Sequence, residues 1–286
     1  MKQSAKFKPK IRKSTGEEVL FSEQKLRRSL KHSGANEAAI QSIVDTLSGE
    51  IYPGMTTRQI HNRAFALLKS YRSTFASRYK LKRALYELGP SGFPFEKFIS
   101  SLLNHSGYRT KTNVQFQGEC VSHEVDVVAG NGTTITLIEC KFHSDEGRKC
   151  TVKVPLYISA RYQDIERYHR KHDKGLELKP IWVVTNTRFT ADAEVFGTCT
   201  GMYLLSWNYP RGESLKERID RHHLYPITVS VLLSKREKDF LLSRDIVLCR
   251  ELIKAPYFLD HLGVSEVRKK RILEELRLLC SPKSKS

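Results

Sequence analysis

Apolar residues along this chain change period twice, and the changes divide it into three stretches. Residues from about 8 to 88 read as one short strand or hairpin followed by helices. Gly16 marks a turn, and Val19-Leu20-Phe21 leads into Ser22, which suits the N-cap of a helix through Lys31. Ala38, Ile40, Ile43, Val44 and Leu47 give the next helix an apolar face. Pro53-Gly54 is a turn, and Thr56 or Thr57 caps a helix whose buried side includes Ile60, Ala64, Leu67 and Leu68. A last helix runs from about Ser73 to Leu88. Gly89-Pro90-Ser91-Gly92 is the strongest punctuation in the chain and sets a domain boundary, with 1–89 on one side and 90–210 on the other.

The second stretch alternates between helix and strand. Residues 95–106 have Phe98, Leu102 and Leu103 at helical spacing, and Gly107 ends that helix. Residues 114–120 and 124–129 read as strands. Asn131-Gly132 is a hairpin signal, and the apolar, β-branched run 134–141 follows it. Pro155 suits the start of a helix reaching about His172. A buried strand at 181–184, a helix at 190–200 and a strand at 202–207 complete an αβββαβαβ order, so the fold class is α/β. Residues 211–286 read as a linker and a helical tail that ends in a basic amphipathic helix over 268–279.

Composition sharpens this only in part. No apolar run approaches the roughly 20 residues that span a bilayer. The basic start, from Met1 to Lys13, is not followed by a signal-peptide core, so no membrane partner and a cytoplasmic location are expected. Six cysteines are scattered, and none stands in the CxxC spacing of a structural zinc site. The formal charge of +18 favours a polyanionic partner. Residues 1–90 hold 18 Lys/Arg against 7 Asp/Glu, so more than half of the excess lies in the first third of the chain.

One constellation carries chemistry. Asp126 lies in the first strand of the hairpin, and Glu139 and Lys141 lie in the second. Residues two apart in a strand share a face, so Glu139 and Lys141 project together while Cys140 points the other way. A hairpin of this length brings the two carboxylates to one end of the sheet. Charged groups at the end of the strand Ile135-Thr136-Leu137-Ile138 are costly unless paired or metal-bound. Two carboxylates and a backbone carbonyl suffice for Mg²⁺, and a neighbouring lysine can stabilise hydroxide or phosphoryl oxygens. A bare Glu-x-Lys is common as a surface ion pair; Asp126 and the element order tip the reading toward a site. Lys153, Tyr157 and Arg161 recur every four residues on the next helix, where they either contact substrate phosphate or form a solvated face. His143 can reach the same site, and His123 reads as structural.

Phe95-Glu96, Leu102-Leu103, Gly107-Tyr108, Glu124-Val125-Asp126-Val127-Val128-Ala129 and Leu137-Ile138-Glu139-Cys140-Lys141 resemble the Mrr-like branch of the PD-(D/E)xK nucleases. Val183-Val184-Thr185-Asn186-Thr187, the run Phe189-Thr190-Ala191-Asp192-Ala193 and Tyr203-Leu204-Leu205-Ser206-Trp207 fit the same branch. The resemblance covers about 115 residues. It implies a restriction-endonuclease-like αβββαβ core and a Mg²⁺-dependent cut of DNA of the restriction or defence type. Asp126 and Glu139 would then be metal ligands, Lys141 would assist the water, and Glu96 would be the accessory acid of the first helix. The approach Ser122-His123-Glu124-Val125 lacks the glycines common in that branch, which bears on substrate more than on chemistry.

Ile11-Arg12-Lys13-Ser14-Thr15-Gly16, Phe21-Ser22, Lys25-Leu26 and Thr56-Thr57-Arg58-Gln59-Ile60 resemble the ATP-cone domain. That resemblance implies ATP or dATP as an effector, with Lys13 and Lys25 facing its phosphates and Gly16 admitting the backbone. Ser14 departs from the arginine common there. In the tail, 240–253 with Leu262-Gly263-Val264 and Ile272-Leu273 resembles a degenerate helix-hairpin-helix, whose turn would hold a phosphate; a simple packing helix fits as well.

The leading expectation is therefore a Mg²⁺-dependent endonuclease responsive to ATP or dATP. Its alternatives are a catalytically silent nucleic-acid-binding module under nucleotide control and a transcriptional regulator. A symmetric double-strand cut needs two active sites, so geometry suggests a homodimer.

Overall fold

The computed structural model describes residues 9–13, 16–172, 175 and 177–282. Ser14 and Thr15, which bear on the nucleotide reading, lie outside the described residues. The chain divides into two compact units: 1–81 with 229–233, and 82–228 with 234–286.

The first unit opens with a hairpin, β1 (Lys10–Arg12) and β2 (Glu18–Leu20), followed by α1 (Glu23–His32), α2 (Glu37–Glu50), α3 (Thr57–Tyr71) and α4 (Ser73–Tyr79). Local chemistry sets the helix starts. The Ser22 hydroxyl accepts from the Lys25 N–H, and Thr56 forms a capping box with Gln59. Leu30, Ile40, Ile43, Leu47, Ala64 and Leu68 close the core. Ala38, expected inside, is exposed, and Ala39 is buried in its place, one step around the helix. Ile11, Met55 and Ile60 pack separately under the hairpin.

The helix expected over 73–88 is two helices. α4 stops at Tyr79, and α5 (Leu81–Tyr86) belongs almost wholly to the second unit. The break falls where the chain leaves one core for the other, with no glycine or proline to announce it.

The second unit continues with α6 (Phe93–Asn104), β3 (Arg109–Gln117), β4 (Ser122–Asn131), β5 (Thr134–Lys141), β6 (Lys149–Cys150), α7 (Lys153–His172), β7 (Glu177–Thr185), β8 (Arg188–Phe189), α8 (Ala191–Cys199) and β9 (Tyr203–Leu205). The main sheet has the order β3-β4-β5-β7-β9. Its first three strands are antiparallel, and β7 and β9 join in parallel. β6 and β8 form a separate parallel pair. Helix α6 packs on β3, β4 and β5, while α7 lies along β7 and α8 on β9. The αβββαβαβ order is thus present, with β6 and β8 added. The β4–β5 loop is Gly132-Thr133, one residue later than the Asn131-Gly132 signal. Asn131 pairs with Thr134, and Gly132 takes the positive φ of 65° that a two-residue hairpin needs.

Helices occupy most of the stretch expected as a linker, and the tail is helical as expected. It folds as α9 (Leu215–His222), α10 (Lys235–Leu242), α11 (Cys249–Lys254), α12 (Tyr257–His261) and α13 (Glu266–Cys280). Leu215, Ile219, Leu248, Leu252, Leu259, Ile272, Leu276 and Leu279 are fully buried. The Ser101 hydroxyl on α6 donates to the Glu251 carboxylate on α11 at 2.8 Å. The Leu262-Gly263-Val264 turn spends its N–H groups internally, Gly263 on the Asp260 carbonyl and Val264 on the Leu259 carbonyl. Both are therefore unavailable to a phosphate, and the packing-helix reading stands. No helix among the described residues is long and apolar enough to cross a membrane.

The domain boundary expected at Gly89 also shifts, to residue 81. The glycines serve close packing rather than a linker. A Cβ on Gly89 would stand 2.7 Å from the Phe142 ring, and that ring lies 5.9 Å from Phe95.

Candidate functional site

The β4–β5 ladder runs from Asn131↔Thr134 to Val127↔Ile138. The next step of that register sets Asp126 opposite Glu139, at the end where the strands part. There the Asp126 Oδ2 replaces a ladder acceptor, taking the Cys140 N–H at 2.7 Å. Its other oxygen accepts no hydrogen bond among the described residues. Lys141 closes β5, exposed and without an ion pair among the described residues. Its carbonyl accepts from the Thr185 hydroxyl at 2.7 Å.

Glu96 joins from the first turn of α6. A Cβ on Gly92 would lie 3.1 Å from its Oε1, so the carboxylate lies over that glycine. Burial pushes the Glu96 carboxyl up to about 7, helped by the negative charges of Asp126 and then Glu124. Glu139 also rises to about 7, through burial and then Asp126, against the pull of Arg161. Burial raises Asp126 as well, with the Cys140 N–H opposing it. Three acids from three elements thus share one field and resist simultaneous ionisation.

Helix α7 braces this end. Arg161 Nη1 donates to Glu139 Oε1 at 2.6 Å, and Nη2 donates to the Glu124 carbonyl. Arg161 therefore turns into the carboxylates and not toward solvent: its side chain is 15% exposed. Only Lys153 and Tyr157 of that repeat face outward. One turn on, buried Asp164 accepts from His123 Nε2 at 2.8 Å, Cys120 N at 3.0 Å and Val121 N at 3.3 Å. These bonds, His123 foremost, hold its carboxyl far below the usual range. His123 is thereby structural, as its sequence context suggested. A Cβ on Gly118 would overlap Asp164 Oδ2, so this clamp requires glycine there.

Asn186 is a second brace that the pattern of residues did not single out. Fully buried, it accepts the His143 N–H at 2.9 Å and donates to the His143 carbonyl at 2.8 Å, fixing the chain as it leaves Lys141. The His143 Nε2 is buried without a partner, and burial, with Arg148 and then Lys141, lowers the ring's pKa. Asp164 and Asn186 lie 41 and 43 residues from the segments they hold, which no local spacing reveals.

In the first unit, Gly16 has φ +84° and the Lys13 ammonium pairs with Glu17 at 2.9 Å instead of standing open. Both side chains are well exposed, so that pair is weak. Lys25, in the first turn of α1, is exposed and unpaired among the described residues.

Among the described residues no three of His, Cys, Asp and Glu converge as a ready metal cage. The donor set still fits a hard cation that keeps much of its water: it is all oxygen, and Asp126 has an uncommitted one. A cleft of about 410 Å³ lined by Ser159, Tyr162, Gln163, Glu166 and Met202 shares no residue with this site.

A family model described as AF1548-like, C-terminal, matches residues 225–280. An uncharacterized protein of Archaeoglobus fulgidus is 32% identical over 180 residues, covering 63% of this chain and 98% of that protein. The crystal structure of a protein of unknown function, AF1548, is similar with a TM-score of 0.54 and 30% identity, covering 66% of this chain and 98% of that one. The MspJI restriction endonuclease in complex with a 27-mer oligonucleotide reaches a TM-score of 0.33 at 16% identity, over 60% of this chain and 36% of that one. A superposition that loose carries no weight for site or substrate.

Proposed function

The chain belongs to the AF1548-like family, and from its own side chains we propose a metal-dependent endonuclease that hydrolyses DNA phosphodiester bonds. One observation carries the reading. Asp126 and Glu139 face each other at the open end of a hairpin, with Glu96 in their field and Lys141 two residues on. Such crowding of acids is costly in a purely structural role and useful beside a cation. The mixed five-stranded sheet and its element order support a restriction-endonuclease-like core.

Asp126 and Glu139 would hold Mg²⁺, which when bound supplies Lewis acidity and offsets charge on the phosphate. Lys141, free of any acidic partner among the described residues, stabilises charge that develops on a phosphoryl oxygen. Glu96, titrating near 7, is matched to take or return a proton near neutral pH. Glu139 must exchange its Arg161 partner for the cation, and Arg161 then remains anchored by the Glu124 carbonyl.

That same ion pair favours a second reading: a catalytically silent nucleic-acid-binding module in which Arg161 neutralises Glu139 permanently. Cleavage of labelled duplex DNA, single-stranded DNA and RNA with Mg²⁺ and with EDTA separates the two. Cleavage that needs Mg²⁺ and falls by about 10³-fold or more in Asp126→Ala and Lys141→Ala supports the enzyme. No cleavage by the wild type, or equal cleavage by the variants, removes it. For the first unit we propose ATP or dATP as ligand, supported by Lys25 and by the Gly16 turn.

A further inference from the structure

β5 and β7 run parallel and end at Lys141 and Thr185. Past those ends the same two chain segments pair once more, as β6 and β8, so this small sheet lies just beyond the carboxylate end. Its register places Lys149 directly beside Arg188, and Cys150 beside Phe189. Cys150 and Phe189 are buried; Lys149 and Arg188 are both exposed. Like charges at paired strand positions repel. Neither has an ion pair among the described residues, whereas Lys171, Lys179, Arg170 and Arg221 each hold a carboxylate within 3.0 Å.

More positive charge gathers here. Lys82 is half-buried, and burial, with the Arg188 guanidinium next, draws its ammonium below the ordinary value. Arg148 and Lys141 both act on His143 from the same loop. Two acids of that loop, Asp145 and Glu146, lie in this field, and the Tyr86 hydroxyl donates to the Glu146 backbone carbonyl at 3.4 Å. Lys82, Lys149 and Arg188, with Arg148 and Lys141, outnumber the two acids. Glu146 offsets part of the charge on Lys82, but no carboxylate pairs with Lys149 or Arg188 among the described residues, and an anion from outside would relieve their repulsion.

We propose that Lys149, Arg188 and Lys82 form a phosphate-binding ledge that receives the sugar–phosphate backbone of a nucleic acid strand beside the carboxylate site. The assignment rests on the nuclease reading for its choice of anion, since the ledge continues the strand ends that carry Glu139 and Lys141. It holds backbone phosphates and reads no bases, so it accepts any sequence.

The test is equilibrium binding of fluorescein-labelled duplex DNA by anisotropy, in EDTA so that nothing is cut, across a salt series. Single-stranded DNA and RNA of the same sequence form parallel arms. K149Q and R188Q are each expected to lower the slope of log affinity against log salt by about one, and the double variant by about two. K179Q removes a cation already paired with Glu177 and is expected to leave the slope unchanged. Thermal melting of the free double variant is expected to hold or rise, because repulsion is removed. A wild type that binds no nucleic acid, an unchanged slope in the double variant, an equal drop in K179Q, or a lowered Tm would each overturn the ledge. Loss of cleavage in D126A with wild-type binding by the double variant refutes the ledge alone. Binding that depends on the ledge in a protein that never cuts refutes the catalytic reading alone.

Discussion

Glu96→Gln tests the electrostatics of the site without removing any hydrogen-bonded partner. The Glu96 carboxyl titrates near 7 in the folded protein against an ordinary 4.5. A carboxyl raised in this way contributes stability that is fully present below about pH 4.5 and is lost as pH rises through about 7. The interval, at about 1.4 kcal/mol per pH unit, sets a ceiling of about 3 kcal/mol. Glu96 is only half-buried, so solvent screens the interaction and about 1–1.5 kcal/mol is the reasonable expectation. Glutamine keeps the shape and cannot ionise. Urea unfolding at about pH 8 should therefore find E96Q more stable than the wild type by about that amount, with the difference vanishing near pH 4. Release of the repulsion on Glu139 adds to the gain. A variant less stable at pH 8, or a difference independent of pH, would show that the three acids do not strain one another.

Three further expectations follow from the braces and the first unit. Arg161→Met strips Glu139 of its counter-charge; we expect a loss of about 1–3 kcal/mol in EDTA and a larger rise in Tm on adding Mg²⁺ than the wild type shows, and equal Mg²⁺ effects in both would refute the exchange. Gly118→Ala forces Asp164 off the β3–β4 turn and should cost about 2–3 kcal/mol in denaturant unfolding, whereas a neutral result would mean the clamp relaxes freely. Calorimetry with ATP and dATP should show binding that Lys25→Ala weakens at least tenfold; unchanged affinity removes Lys25 from any nucleotide site.

The part of the site written locally was legible. Asp126, Glu139 and Lys141 sit on one hairpin, so strand alternation and a turn signal were enough to bring them to one end. The caps at Ser22 and Thr56 were legible for the same reason. Arg161 was visible as a helical repeat, but that it turns to Glu139 and the Glu124 carbonyl depends on how α7 packs on the sheet, and spacing alone does not say. Gly89 and Gly92 looked like a linker because glycine marks both flexibility and close approach; Phe142 decides between the two. The last helix of the tail was legible as α13, whereas the helices over 249–261 are five and six residues long, too short to establish a period.

Residues 229–233 belong to the first unit although they lie some 150 positions downstream of its other members, and Val231 packs against the core closed by Leu30, Ile43 and Leu68. A gene fragment ending at codon 81 would carry that core without Val231. Recombination at the apparent seam would thus separate Val231 from the core it packs against. A unit assembled from two distant stretches of chain is therefore not excised by a single cut.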